Sequence, residues 1–123
     1  MTDERLLTCH CGAARLRVRL AEPLAAARHC DCSFCRRRAA ATVSVRASDL
    51  TVEAGDTLTL YQWNTRTAEH WFCSVCGIYT HHRRRIDPTE FGVNIGALDG
   101  VNPRDLEPLG WVDGVNHPSD RKD

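Results

Sequence analysis

All seven cysteines fall in three short clusters: Cys9-His10-Cys11, Cys30-Asp31-Cys32-Ser33-Phe34-Cys35 and Cys73-Ser74-Val75-Cys76. Thiolates are zinc ligands, and sulfurs one to three residues apart can turn toward a single ion from one loop. An odd number of thiols leaves one over in any disulfide scheme. Neighbours one residue apart, such as Cys9 and Cys11, also make awkward disulfide partners. Gly12 and Gly77 directly follow two of the pairs, where a residue without Cβ lets the backbone turn tightly with its amides facing sulfur. The chemistry these residues predict is metal binding, and zinc first.

Zinc prefers four tetrahedral ligands, so seven thiols divide most naturally into four and three. The split pairs Cys9/Cys11 and Cys73/Cys76 can close a four-sulfur site that ties the early chain to its middle, a structural role. Cys30, Cys32 and Cys35 then form a three-sulfur set whose fourth position is left to water or substrate, the pattern of catalytic zinc. Two other arrangements stay open on spacing alone. His29 or another histidine could close the second site, or Cys73 and Cys76 could pair with two of the central thiols.

The elements that must position these groups are mostly strands. Apolar and basic residues alternate over residues 14–20, which predicts Leu16, Val18 and Leu20 inward and Arg15, Arg17 and Arg19 in water. Glu22-Pro23 ends that strand. Arg36-Arg37-Arg38 reads as a short helical turn after the central thiols. Further strands are expected at residues 42–46, 50–53, 58–61, 78–82 and 91–95, with Gly55-Asp56 as a hairpin turn joining 50–53 to 58–61. From Leu98 onward Gly, Pro, Asp and Asn predict loops and an exposed tail. The expected fold is mainly β with little helix, one domain over 1–123 with its core at about 6–117.

Composition narrows the function. Hydrophobic residues make up 42% and charged residues 26% of the 123 positions, ordinary values for a soluble domain. Sixteen basic and sixteen acidic side chains cancel, which argues against a general nucleic-acid or anionic-membrane binder. No apolar run approaches the ~20 residues that span a bilayer. Met1-Thr2-Asp3-Glu4-Arg5 lacks the pattern of a signal peptide, so the reducing cytoplasm is the expected compartment. Nothing in the composition marks an oligomeric state.

Taken in order, Cys-His-Cys-Gly, Cys-Asp-Cys-Ser-Phe-Cys-Arg-Arg and His-Trp-Phe-Cys-Ser-Val-Cys-Gly resemble the glutathione-dependent formaldehyde-activating enzyme family, which includes centromere protein V. The resemblance runs from about Leu7 to His117 and covers all seven cysteines. It implies a β-rich fold, sometimes called Mss-four-like, built from antiparallel sheets with cysteine knuckles. It also implies two zinc ions per chain, a structural one on Cys9, Cys11, Cys73 and Cys76 and a catalytic, more labile one on Cys30, Cys32 and Cys35. The implied activity is condensation of formaldehyde with glutathione to S-hydroxymethylglutathione, classed in reverse as a carbon–sulfur lyase.

The residues make chemical sense of that activity, since a cation lowers the pKa of a thiol beside it. Arg36–Arg38 and Arg83–Arg85 are candidates for holding an anionic tripeptide, with Arg36, His82 and Asn94 as substrate-binding residues. General acid–base help is expected from among His29, His70, His81 and His82. His81 and His82 lie on opposite faces of one strand, so one of them at most faces a given cleft. The segment from Asp113 to Pro118 is a weaker contributor. A second function class is a non-enzymatic zinc module that binds protein or nucleic acid through the arginine triplets and Trp63, Trp71 and Trp111. A third is redox or metal buffering by Cys30, Cys32 and Cys35.

Overall fold

A computed structural model describes residues 4–63, 65–85 and 87–115. The alternating segment forms strand β2, Arg15–Leu20, with Leu16 and Val18 buried and the three arginines exposed. It pairs antiparallel with β1, Glu4–Thr8, and the arginines meet Glu4 and Glu53 on the solvent face. These exposed pairs contribute little each.

The other flank of β2 pairs with β4, Thr42–Ala54. The sequence predicts two strands here, over 42–46 and 50–53, and the structure joins them into one. Residues 42–46 pair with β8, Glu90–Asn94, while β2 pairs with residues 50–54 and, past a shift in register, with Val45. The polar and small residues between, Ala47-Ser48-Asp49, break the hydrophobic alternation without breaking the strand.

The sheet continues from β8 to β7, Tyr79–Arg83, then β6, Glu69–Cys73, and ends at β5, Leu58–Tyr61. The expected hairpin of 50–53 with 58–61 does not form. Gly55 accepts from the Leu58 amide in a tight turn, but β5 ladders only with β6. Chain direction changes at this corner instead of folding back. Strand β6 lies outside the segments expected from sequence, and so do two shorter strands. Strand β3, Arg28–Cys30, pairs with β4 and, in parallel, with β9, Gly110–Val112. The β3–β9 pairing carries the C-terminal segment onto the central thiols.

One helical turn, α1, covers Cys35–Arg38 and ends at Ala39 in the left-handed region, φ 53°. Three 3-10 turns complete the regular structure of the described residues, at Leu24–Ala26, Ile95–Ala97 and Pro103–Leu106. The fold is mainly β, and no helix of the described residues is long and apolar enough to cross a membrane.

Leu7, Leu16, Val18, Val43, Val45, Val93 and Ile95 form the centre of the core, each buried to 1% exposure or less. A smaller cluster holds Cys9, Ala14 and Cys73. Leu58 packs against both, so the corner between β4 and β5 joins the core to the first group of thiols.

Candidate metal centres and cavity

The seven thiols gather into two groups, Cys9/Cys11/Cys73/Cys76 and Cys30/Cys32/Cys35, with the sulfurs of each group within 4.8 Å of one another. Cys73 and Cys76 therefore lie with Cys9 and Cys11 and not with the central thiols. No histidine joins either group among the described residues.

In the first group Cys9 and Cys11 follow β1, Cys73 ends β6, and Cys76 stands on the turn between β6 and β7. The Sγ atoms of Cys9 and Cys11 are 3.6 Å apart, and those of Cys11 and Cys73 are 3.7 Å apart. Gly12 and Gly77 hold φ of +84° and +78° with open space where a Cβ would stand. Backbone conformation, not crowding, selects glycine there. Donors point at sulfur from several sides. The Ala14 amide donates to Cys9 Sγ at 3.3 Å. The Thr57 hydroxyl and the amides of Cys76 and Val75 hold the Cys73 thiol down to about 6. The amides of Cys11 and Ile78 hold Cys76 below the usual thiol range. Such donors favour thiolate, the form that binds metal.

The second group is local. Cys30 ends β3, Cys32 lies in the following turn and Cys35 opens α1. The Cys35 amide donates to Cys32 Sγ at 3.2 Å. The hydrogen bond with the Cys35 thiol is the main cause holding Cys30 down to about 5, and the same shared proton pushes Cys35 up. Gly114 closes this group from the far end of the chain, its amide donating to Asp31 Oδ1 at 2.8 Å. A Cβ on Gly114 would stand 2.4 Å from Cys30 Sγ and 2.9 Å from the Cys32 nitrogen.

The three central thiols line a cavity of about 270 Å³. Arg38, His70, His82 and Trp63 line it as well, together with Ala40, Ala68, Val112 and Gly114. Phe34 stands behind this wall, with ring centroids 4.6 Å from Trp63, 4.7 Å from His70 and 5.5 Å from Tyr61. Arg38 lies over two rings, its guanidinium 4.6 Å from the centroid of Phe34 and 3.6 Å from that of Tyr79. It reaches His70 Nδ1 at 3.0 Å, His82 Nδ1 at 3.5 Å and Cys35 Sγ at 3.6 Å. Burial, then the positive charges of Arg38 and Arg85, holds His70 down to about 3. Burial and Arg38 likewise push His82 well below its ordinary value. Both imidazoles are neutral at physiological pH.

The site residues expected from sequence separate in space. His82 lines the cavity and is buried. Arg36 stands exposed on α1 and does not line it, because the helical turn rotates it away and brings Arg38 in. Asn94 is engaged elsewhere. It caps the turn at Ile95–Ala97 by accepting from the Gly96 amide at 3.0 Å, and it donates to the Tyr79 carbonyl at 2.8 Å. His29 lines the cavity but stacks on Trp111 at 4.6 Å and faces Glu107 Oε1 at 3.3 Å. His81 is buried elsewhere against the Thr80 hydroxyl, Trp71 and Phe91.

Of the second arginine triplet, Arg84 and Arg85 line the cavity, while Arg83 pairs with Glu69 at 3.0 Å. Arg28 also lines it, held by Glu22. Asp113 and Gly114 reach the cavity; Asn116, His117 and Pro118 lie outside the described residues. A helical phase argument finds Arg38 in the sequence, since residues three apart share a helix face and Cys35 marks that face. No local signal marks Trp63 or Ala68.

A β fold with one four-thiol and one three-thiol group defines a class of protein able to hold metal at two places. The sequence profile of the glutathione-dependent formaldehyde-activating enzyme matches residues 5–111. The chain belongs to that family. It is also similar to a protein of Rhodobacter sphaeroides known from a structural-genomics crystal structure, at 58% identity and a TM-score of 0.85. That match covers 87% of this chain and 99% of the other.

Proposed function

We propose that the chain is a zinc-dependent enzyme that makes or breaks a carbon–sulfur bond between a glutathione-type thiol and a small aldehyde. The observation that carries this is the contrast in ligand number. Four thiols close one group, whereas three line a cavity with no fourth protein ligand among the described residues. The donor sets fit zinc in its two roles, Cys9, Cys11, Cys73 and Cys76 as a structural site and Cys30, Cys32 and Cys35 as a site with an open position. When bound there, zinc supplies positive charge that favours the thiolate form of an incoming thiol.

The surrounding side chains serve an addition to a carbonyl. Sulfur forms the new bond to carbon, the carbonyl π pair moves to oxygen, and oxygen takes up the proton that the thiol gave up. The reverse sequence expels the thiolate from the hemithioacetal. Trp63, Ala40, Ala68 and Val112 present apolar surface that displaces water from the reacting groups. His70 and His82, neutral by burial, bring imidazole nitrogens to the same space. Arg85, rather than Arg36, stands where a carboxylate of a glutathione-like thiol can be met, beside Arg84, which Glu90 holds at 2.8 Å. All seven cysteines are free thiols, which suits a reducing compartment such as the cytoplasm.

The test is zinc content together with formation of S-hydroxymethylglutathione by reduced protein. Wild type is expected to hold close to two zinc ions per chain and to accelerate the reaction. Cys32→Ser should lose one zinc, keep its circular dichroism spectrum and lose activity by roughly 100-fold or more. One zinc per chain, unchanged by Cys32→Ser, would sink the proposal.

A further inference from the structure

Arg38 has unusual partners for a buried guanidinium. Its guanidinium lies over the rings of Phe34 and Tyr79, and its Nη atoms meet two imidazole nitrogens and a thiol. Nε is buried without a partner among the described residues. A charge in this position carries a desolvation cost that no carboxylate among the described residues offsets, so what it does for its neighbours matters.

A guanidinium has donors only. The 3.0 Å contact from Arg38 Nη1 to His70 Nδ1 therefore makes Nδ1 the acceptor. The proton of the neutral ring must then sit on Nε2. Protonating Nδ1 would remove the acceptor and set a second cation against Arg38. The other titratable or charged groups around the ring act the same way or not at all. His82 stacks on it from β7 at 5.1 Å, and Arg85 adds positive charge from the turn after β7. Tyr61 on β5 is its ladder partner, and Trp63 and Phe34 are uncharged. Lining the cavity and 5% exposed, His70 is left with one hydrogen-bonding group to offer, the Nε2–H.

We infer that His70 is the hydrogen-bond donor to the aldehyde oxygen, and that Arg38 is the positioning residue that locks His70 in the donor tautomer. This rests on the carbonyl-addition reading above. As the carbon–sulfur bond forms, negative charge grows on oxygen, and a donor preset toward it needs no reorganisation. A neutral imidazole suits this better than imidazolium, because it does not hand its proton to the solvent or to the ligand thiolates between turnovers.

The experiment pairs long-range proton–nitrogen NMR of the zinc-loaded protein with glutathione–formaldehyde kinetics. In wild type His70 should show a bare Nδ1 and a protonated Nε2 from pH 8 down to pH 5.5. Arg38→Met should release it into a tautomer mixture or protonation within that range, and Arg38→Lys, which restores one donor, should recover part of the wild-type pattern. His70→Ala should lower kcat by roughly 100-fold, the scale for losing one preset donor, with the KM for the thiol within about threefold. His70→Gln, which keeps an N–H, should regain part of kcat.

An Nδ1–H or doubly protonated His70 in wild type at pH 7 would overturn the inference while leaving the carbon–sulfur reading intact. So would His70 signals unmoved in both Arg38 variants, or a His70→Ala kcat within twofold of wild type. The expected tautomer in a wild-type protein that accelerates no thiol addition would remove the carbon–sulfur reading and the carbonyl role with it.

Discussion

The two thiol groups use one kind of ligand and are assembled in opposite ways. The four-thiol group draws on two turns far apart in sequence, and its sulfurs meet only because the sheet bends until β1 and β6 share a corner. The three-thiol group comes from six consecutive residues, and local chain geometry alone brings its sulfurs together. A group that depends on the fold can stabilise the fold in return. A group assembled locally does not need to close its coordination, so it can border a cavity and leave a position free. The surroundings match this division. Leu58 links the first group to the apolar core, whereas Arg38, His70 and His82 surround the second.

The harshest way to break that comparison is Cys73→Ser. Cys73 is fully buried, and structural zinc sites are worth about 10–16 kcal/mol in apparent folding energy, comparable to the whole stability of a domain. The variant is expected to lose its cooperative thermal transition by circular dichroism, while Cys32→Ser keeps one. A Cys73→Ser protein melting within a few degrees of wild type would show that the corner holds without its metal.

Two glycine substitutions sharpen the contrast more gently. Gly114→Ala drives a methyl group into Cys30 Sγ and Cys32, so it should cost the second zinc and the activity but retain the fold. Gly77→Ala meets no neighbour and should cost only left-handed strain, about 1–2 kcal/mol. It should lower Tm by several degrees and keep both metals. Loss of zinc from Gly77→Ala but not from Gly114→Ala would reverse the assignment.

The smallest effect is in the pH dependence of stability. Burial holds His81 down to about 4 and is the main cause holding His70 down to about 3. In the unfolded chain both should titrate near 6.5. Between these values only the unfolded state takes up protons. The stability these neutral rings allow is therefore complete above about pH 6.5 and falls as pH drops below it, by up to about 1.4 kcal/mol per pH unit for each histidine. His82 is depressed as well, so three buried rings share the slope, and His81→Gln should remove about a third of it in urea midpoints measured at pH 7.5, 6 and 5, leaving the zinc content unchanged. Comparison with wild type cancels proton uptake by the ligand thiols. Parallel pH curves for the two proteins would refute the buried-histidine account.

Much of this organisation is readable from residue order, and the parts that are not have identifiable causes. Thiol spacing favours a division into four and three, although only the folded chain places Cys73 and Cys76 with Cys9 and Cys11; alternation marks the exposed arginines of β2, and the basic triplet after Cys35 marks α1. Strand β4 reads as two pieces because Ala47-Ser48-Asp49 interrupts its pattern where the register with β2 shifts and the ladder with β8 ends. Residues 58–61 look like the second arm of a hairpin because Gly55-Asp56 is good turn chemistry, and only the curl of the sheet sends β5 to β6. The β3–β9 pairing leaves no local signature, since three-residue strands have too few side chains to alternate. The cavity wall follows the same rule. Arg38 is recoverable from helical phase and His70 is among the expected histidines, but only long-range packing brings His70 and Trp63 to the central thiols. Asn94 and Arg36 have suitable chemistry and the wrong positions.

The corner where Cys11 and Cys73 come within 3.7 Å across 62 residues also sets a timetable. Closing a flexible loop of that length costs about 4 kcal/mol of chain entropy, and long-range closures of this kind slow folding. During synthesis β1, β2 and β4 emerge with half of the clamp, and the other half follows only after β5 and β6 have been made. Until then the early strands have no partner for Cys9 and Cys11. The rate at which newly made chains reach the native state should therefore rise with free zinc, with the late arrival of Cys73 and Cys76 as the gate.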